Sequence, residues 1–122
     1  MDRAARFFVE ELSTGALVGT CNFTDIVRGA FQSCHLGYSI CASKEGQGFM
    51  TEAVSAGIQF VFEELSLHRI EANYIPTNLR SARLLRSLAF DVNGFARDYL
   101  RIGDSWQDHI LTSKTNHAWV SA

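Results

Sequence analysis

Two glycines one residue apart, Gly46 and Gly48, open the stretch with the clearest chemical potential in this 122-residue chain. They follow a strand-like run, Leu36-Gly37-Tyr38-Ser39-Ile40. They lead into a helical pattern in which Met50, Val54, Ile58, Val61 and Leu65 share one face while Glu52, Gln59 and Glu63 gather on another. The order strand, glycine turn, helix suits an anionic phosphate. The first helical N–H groups have no intrahelical acceptor, and glycine lets backbone approach a ligand with no Cβ in the way. Taken alone the signal is weak, because two glycines at a turn more often make only a turn. The spacing matches neither the phosphate loop that ends in Gly-Lys-Ser/Thr nor the dinucleotide fingerprint.

Other chemistries find less support. Cys21, Cys34 and Cys41 are an odd set without Cys-x-x-Cys spacing, which argues against a disulfide framework or a zinc site and fits a reducing cytoplasm. His35, His68, His109 and His117 are scattered with no i, i+4 pair, so no metal is expected. A net charge of -2 gives no reason to expect bulk nucleic-acid or membrane binding, and Trp106 and Trp119 are too isolated to form a stacking platform for bases. No apolar run approaches the roughly 20 residues that span a bilayer, and the first residues lack the apolar core of a signal peptide.

The elements that must position the turn follow in order. Length and a composition of 47% apolar and 20% charged residues suit one small domain, residues 1–122. Residues 6–12 and 16–26 read as strands joined by the turn Ser13-Thr14-Gly15, a hairpin. Residues 27–33 read as a loop and residues 34–41 as a third strand. The helix after the glycine turn ends near Leu65-Ser66-Leu67. Residues 69–75 form a further strand closed by Pro76, the only proline. Asn78 caps a short helix over residues 79–88 with the stripe Ala82, Leu85 and Leu88. Phe90 begins the return to strand, and residues 95–102 and 106–113 flank Gly103-Asp104-Ser105 as a second hairpin. The tail from Lys114 shows no pattern. The order β-β-β-α-β-α-β-β predicts an α/β (α+β) fold with a mixed, mostly antiparallel sheet and two helices, with a crossover at the glycine turn.

This order, together with Gly46-Gln47-Gly48-Phe49-Met50-Thr51-Glu52-Ala53, the run from His68 to Asn78, Arg80-Ser81, Ala96-Arg97-Asp98-Tyr99-Leu100 and Trp106-Gln107-Asp108-His109, resembles the GCN5-related N-acetyltransferases (GNAT). Within them it is similar to the ribosomal-protein-alanine N-acetyltransferases of the RimJ/RimL type, nearer to RimJ. The resemblance covers residues 6–115 or so. It implies acetyl-CoA as donor, no metal, and a primary amine as acceptor: the N-terminal amine of a protein such as a ribosomal one, or alternatively a polyamine, amino sugar or drug. It implies that the backbone N–H groups of Gly46, Gln47, Gly48, Phe49 and Met50 cradle the pyrophosphate. A backbone N–H near Ile40 or Cys41 would polarise the thioester carbonyl. Asn78 and Ser81 occupy the positions that contact the cofactor arm and the thiol end.

The chemistry requires a neutral amine and a stabilised leaving thiolate. A terminal amine has a pKa of roughly 7.7–8.0 against about 10.4 for lysine, so it needs less help from a base. The sequence departs from the family at several points. Ser43 stands where Arg or Gln usually begins the turn, Leu85 replaces the tyrosine acid, Asn73 replaces a carboxylate base, and Leu88-Ala89-Phe90 replaces Leu-Gly-Phe, a small change in packing. Ser81 is then the best candidate proton donor, and Asp108 and His109 rank ahead of Glu71 and Asp98 as water-mediated bases. Against these stand plainer readings. Ser81 also fits an ordinary first-turn serine, and Asp108 with His109 an exposed polar pair. Arg80, Arg83 and Arg86 fit a solvated basic face, and Tyr38 and Tyr99 core or cleft aromatics. Without the usual acid and base, a non-catalytic acyl-CoA-binding module is the reading from outside enzymology.

Family members normally carry another strand and one or two helices before the first hairpin strand. The domain therefore reads as N-terminally shortened, with a free edge at residues 6–12 and an uncovered apolar face, which predicts a homodimer.

Overall fold

The computed structural model describes residues 4–120. Its elements are β1 (Ala4–Glu10), β2 (Leu17–Val27), β3 (Ser33–Ile40), α1 (Phe49–Glu63), β4 (Arg69–Tyr74), α2 (Leu79–Ser87), β5 (Asp91–Ile102) and β6 (Ser105–Thr115), with a 3₁₀ turn at Ala42–Lys44. This is the expected α+β order. The chain forms two compact units, one holding the residues up to Ile70 and those from Thr115 on, the other Glu71–Lys114. Among the described residues no helix is long and apolar enough to cross a membrane.

In the first unit β1 pairs antiparallel with β2, and β2 with β3, so that Cys21 stands between Phe7 and Tyr38. Alternation puts Cys21 and Phe23 of β2 into the core with Leu36 of β3, and Val18 joins them at the register shift that skips it between Gly19 and Leu17. The helix α1 buries Met50, Val54, Gly57, Ile58 and Val61, one stripe at helical spacing. Gly57 faces Phe23 so closely that a Cβ there would stand 2.6 Å from Cε1 of the ring. The rings of Phe7 and Phe23 meet edge-on at 6.2 Å, and those of Phe7 and Phe60 at 5.5 Å.

The segment after β6, expected to lack pattern, has a fixed place. Trp119 Nε1 donates to the Ser66 carbonyl at 2.7 Å, Asn116 Nδ2 to the Leu67 carbonyl at 3.2 Å, and the Trp119 ring meets His68 edge-on at 5.8 Å. These contacts and the Arg28 guanidinium on the Leu65 carbonyl satisfy acceptors of the segment just after α1.

In the second unit the Asn78 side chain accepts from the Ser81 N–H at 3.1 Å, the expected cap of α2. The helix ends in a left-handed residue, Ala89, at φ +63°, with Phe90 N–H bonded back to the Leu85 carbonyl at 2.9 Å. That is the closing geometry which favours glycine. The departure at residue 89 is thus a matter of backbone conformation rather than packing. The strands β5 and β6 form an antiparallel hairpin closed by Gly103-Asp104, with Gly103 at φ +63° as a type II′ turn requires. The strand β5 starts at Asp91, just after Phe90 where the return to strand was expected, and carries a register shift between Val92 and Gly94.

Ala89→Gly relieves a left-handed alanine that costs about 1–2 kcal/mol, set against the greater freedom of glycine in the unfolded chain. The variant is expected to gain about 1 kcal/mol in denaturant unfolding, and an unchanged or lower midpoint would show that residue 89 does not carry this strain.

Candidate active site

The glycine turn is built by backbone. The end of β3 is pinned where the Cys41 N–H donates to the Val18 carbonyl at 2.7 Å. The 3₁₀ turn then reverses the chain, held by Lys44 Nζ on the Glu11 carboxylate at 3.2 Å. Gly46 and Gly48 follow at φ +78° and +83°, with Gly48 as N-cap of α1. A Cβ on either glycine would meet nothing within 4 Å. Glycine is therefore required here by conformation, and the space above both residues is open to a ligand. The first intrahelical bond is Glu52 N–H to the Gly48 carbonyl at 3.1 Å, so the N–H groups of Phe49, Met50 and Thr51 lie ahead of it, at the positive end of a 15-residue helix. Gln47 Nε2 donates to the Ser43 carbonyl at 3.1 Å and braces the turn from inside. The arrangement fits a pyrophosphate. Of the two residues expected to polarise a carbonyl, Ile40 and Cys41, Cys41 has its N–H committed to Val18.

The thiols differ sharply. The Cys41 Sγ lies 3.1 Å from Ser43 Oγ, is solvent-exposed, and is held below the ordinary thiol range by hydrogen bonds from the Ser43 side chain and backbone, with Lys44 assisting. Burial pushes the Cys21 thiol up to about 11.

The second unit carries the side-chain chemistry. Ser81 stands in the first turn of α2 and is buried. His109 is only 4% exposed, which removes the reading of an exposed polar pair for that residue. Its Nδ1 lies 2.9 Å from the Gln107 carbonyl oxygen. A carbonyl can only accept, so Nδ1 carries the proton and Nε2 is the basic nitrogen. Asp108 Oδ1 accepts the backbone N–H of Asp98 at 2.9 Å, and the Asn73 amide donates to the Tyr99 hydroxyl at 3.5 Å. The Tyr99 ring stands 5.6 Å from that of His109. The structure thus gathers Asn73, Tyr99 and His109 from three strands, and Asn73 and Tyr99 were not singled out as a pair by sequence. The signal was present in the departure at Asn73, which placed a donor where a carboxylate is usual. Leu85, at the position of the usual tyrosine acid, is a buried core residue of α2. Arg80, Arg83 and Arg86 are exposed along that helix. Among the described residues no three His, Cys, Asp or Glu side chains come together as metal ligands.

A family model described as the acetyltransferase (GNAT) domain matches residues 1–91. This chain belongs to the GNAT acetyltransferase family. It is 46% identical over 104 residues to the [ribosomal protein uS5]-alanine N-acetyltransferase of Escherichia coli K12, a match covering 85% of this chain and 54% of that protein. The GNAT chain also superposes on the ribosomal-protein-S5-alanine acetyltransferase of Vibrio fischeri with a TM-score of 0.94 at 41% identity, covering 97% of this chain and 64% of the other. It superposes on Mycobacterium smegmatis RimJ in complex with CoA-disulfide with a TM-score of 0.88 at 33% identity, covering 93% and 53%. The chain spans about half the length of the E. coli enzyme that it matches.

The contrast between thiols gives a test of the turn. Cys41 is expected to react with iodoacetamide well before Cys21 near pH 8, and saturating CoA is expected to slow that reaction by roughly tenfold. Mass spectrometry of the modified peptides reads both effects, and equal labelling with and without CoA would remove Cys41 from the ligand's path.

Proposed function

We propose that this protein is an acetyl-CoA-dependent N-acetyltransferase acting on the N-terminal α-amine of a protein, such as a ribosomal one. The observation that carries the reading is the pair of left-handed glycines at the N-terminus of α1, in a chain of this family with 46% identity to the E. coli enzyme. Acetyl-CoA supplies an activated acetyl thioester when bound. The chain's own residues then have separable tasks. The N–H groups from Gly46 to Met50 bind the pyrophosphate, and the Ile40 backbone polarises the carbonyl. Asn78 orders the first turn of α2, and the Ser81 hydroxyl supplies a proton to the departing sulfur. His109 Nε2 takes a proton from the acceptor through water. The demand on that base is modest, since about a quarter of terminal amines are neutral near pH 7.4. Because none of the three cysteines is in a disulfide, a reducing cytoplasm suits the protein. Self-association is part of the reading. Phe8 is 72% and Leu12 96% exposed beside an open groove of about 570 Å³ lined by Phe7, Phe49 and Gly57. Light scattering over a range of concentrations is expected to show dimers, and a monomer throughout would remove that element.

The deciding assay follows thiol release from acetyl-CoA with a panel of N-terminal peptides, spermidine and an aminoglycoside. Peptides with N-terminal alanine are expected to turn over fastest. Preference for a polyamine would reassign the acceptor, and binding without turnover would leave a non-catalytic acyl-CoA module. Gln47→Glu places a carboxylate at the turn without altering a glycine and is expected to weaken CoA about tenfold by calorimetry. Ser81→Ala is expected to lower kcat on the order of 10²-fold with CoA affinity unchanged, and wild-type turnover would reduce Ser81 to a helix residue.

A further inference from the structure

Three residues of β5 face one residue of β6. The pairs Ala96↔His109 and Leu100↔Gln107 bracket the irregularity, so Arg97, Asp98 and Tyr99 stand opposite Asp108 alone. A bulge of this kind takes an N–H out of the ladder and re-aims the side chains next to it. Asp98 makes the bend at φ +47°, a left-handed conformation uncommon outside glycine but tolerated by aspartate. The N–H displaced from the ladder is the one that Asp108 Oδ1 accepts at 2.9 Å. One carboxylate of β6 thus replaces the missing rung.

The side chain that the bend directs is Tyr99. Its oxygen receives the Asn73 amide at 3.5 Å and its ring leans on His109, while 42% of the residue stays open. An amide N–H can only donate, so the phenol oxygen accepts from Asn73 and keeps its own proton to give. The group that fits a pre-oriented donor on a part-exposed residue whose ring lies against His109 is a carbonyl oxygen close to an amine. An N-terminal peptide presents one at its first residue, and a polyamine has none.

We propose that Asp108 is a positioning residue, whose carboxylate holds the Arg97–Tyr99 bulge, and that the bulge aims the Tyr99 hydroxyl at the first carbonyl oxygen of a peptide acceptor and so selects peptides over simple amines. The inference rests on the acetyltransferase reading above and deepens it on the acceptor side. It gives Asp108 a task different from that of a general base, and the two tasks separate by isostere. Asparagine keeps an oxygen that can accept the Asp98 N–H but cannot take a proton at neutral pH.

The test compares Asp108→Asn, Asp108→Ala and Tyr99→Phe in the full chain, with N-terminal alanine peptide and spermidine as acceptors and acetyl-CoA affinity followed by calorimetry. Asp108→Asn is expected to keep the Asp98 amide resonance in an NMR correlation spectrum, to stay within about threefold of the wild-type kcat/KM for peptide, and to preserve the pH profile across about pH 6–9. Asp108→Ala is expected to move that resonance and raise the peptide KM roughly tenfold or more, with acetyl-CoA affinity unchanged. Tyr99→Phe is expected to raise the peptide KM similarly and leave any spermidine turnover alone, and the double variant Tyr99→Phe/Asp108→Ala to add little further. Equal loss of kcat in Asp108→Asn and Asp108→Ala, with the pH profile altered in both, would make Asp108 a base and overturn the proposal. So would an unmoved Asp98 resonance in Asp108→Ala, or a Tyr99→Phe variant with wild-type peptide KM. If no amine is acetylated although acetyl-CoA binds, the acetyltransferase reading fails by itself. The Asp98 resonance and the affinity for the alanine peptide in Asp108→Ala then decide the positioning role, with loss of both supporting it and retention of either overturning it.

Discussion

In the first unit the seating of α1 depends on the ring of Phe23 lying directly against the backbone of Gly57. Phe23 has no exposed surface, and its burial contributes roughly 1.5–3 kcal/mol. The ring can lie there only because residue 57 has no side chain, since a Cβ would come within 2.6 Å of it. This seats the middle of α1 directly on β2. A 15-residue helix held at its middle has its N-terminus placed as well. The same economy of side chain recurs at Gly19, where a Cβ would run into the Ser39 carbonyl oxygen. There it lets β2 and β3 stay in register up to Ile40, and the Cys41 N–H reach Val18. Both ends of the Gly46–Gly48 turn are therefore fixed by glycines outside it, and the two glycines within it are free to serve conformation.

That arrangement explains why this part was legible in the sequence. A turn bound by backbone advertises itself through glycine, and a docked helix through its 3.6-residue stripe, both local signals. What failed to show was non-local. The stripe continued to Leu65, yet α1 closes at Glu63, because the chain turns through Ser66 at φ +53° and gives its carbonyls to Trp119, Asn116 and Arg28. Trp119 lies 53 residues from Ser66, and no periodicity links them. Ala89 misled for another reason. The resemblance set it where glycine is usual and read the change as one of packing, and the observed φ shows that the position is a left-handed helix cap.

The side-chain candidates of the second unit illustrate a sharper limit. The sequence offered Ser81, Asp108 and His109 as chemically able groups, and ability is a property of the side chain alone. Role depends on which atoms are already engaged. His109 turned out buried with a defined tautomer, and Asp108 turned out to accept a backbone N–H. Neither fact has a sequence signature: the first depends on a ring turned toward the Gln107 carbonyl, the second on a register in which three residues of one strand meet one of another.

The asymmetry between the two halves of the chemistry follows from what each must recognise. A pyrophosphate presents the same charge and oxygens to every member of such a family, so repeating backbone donors at a helix end suffice, and substitution of neighbouring side chains matters little. An acceptor differs from enzyme to enzyme and must be read by side chains whose direction is set strand by strand. A bulge is an economical way to set it, since it re-aims one residue without altering the ladder beyond. Here the backbone N–H of Asp98 finds a partner in the facing residue, and the ladder resumes at Leu100 opposite Gln107. The hairpin can thus vary in what it presents while the glycine turn, in the other unit, keeps its geometry.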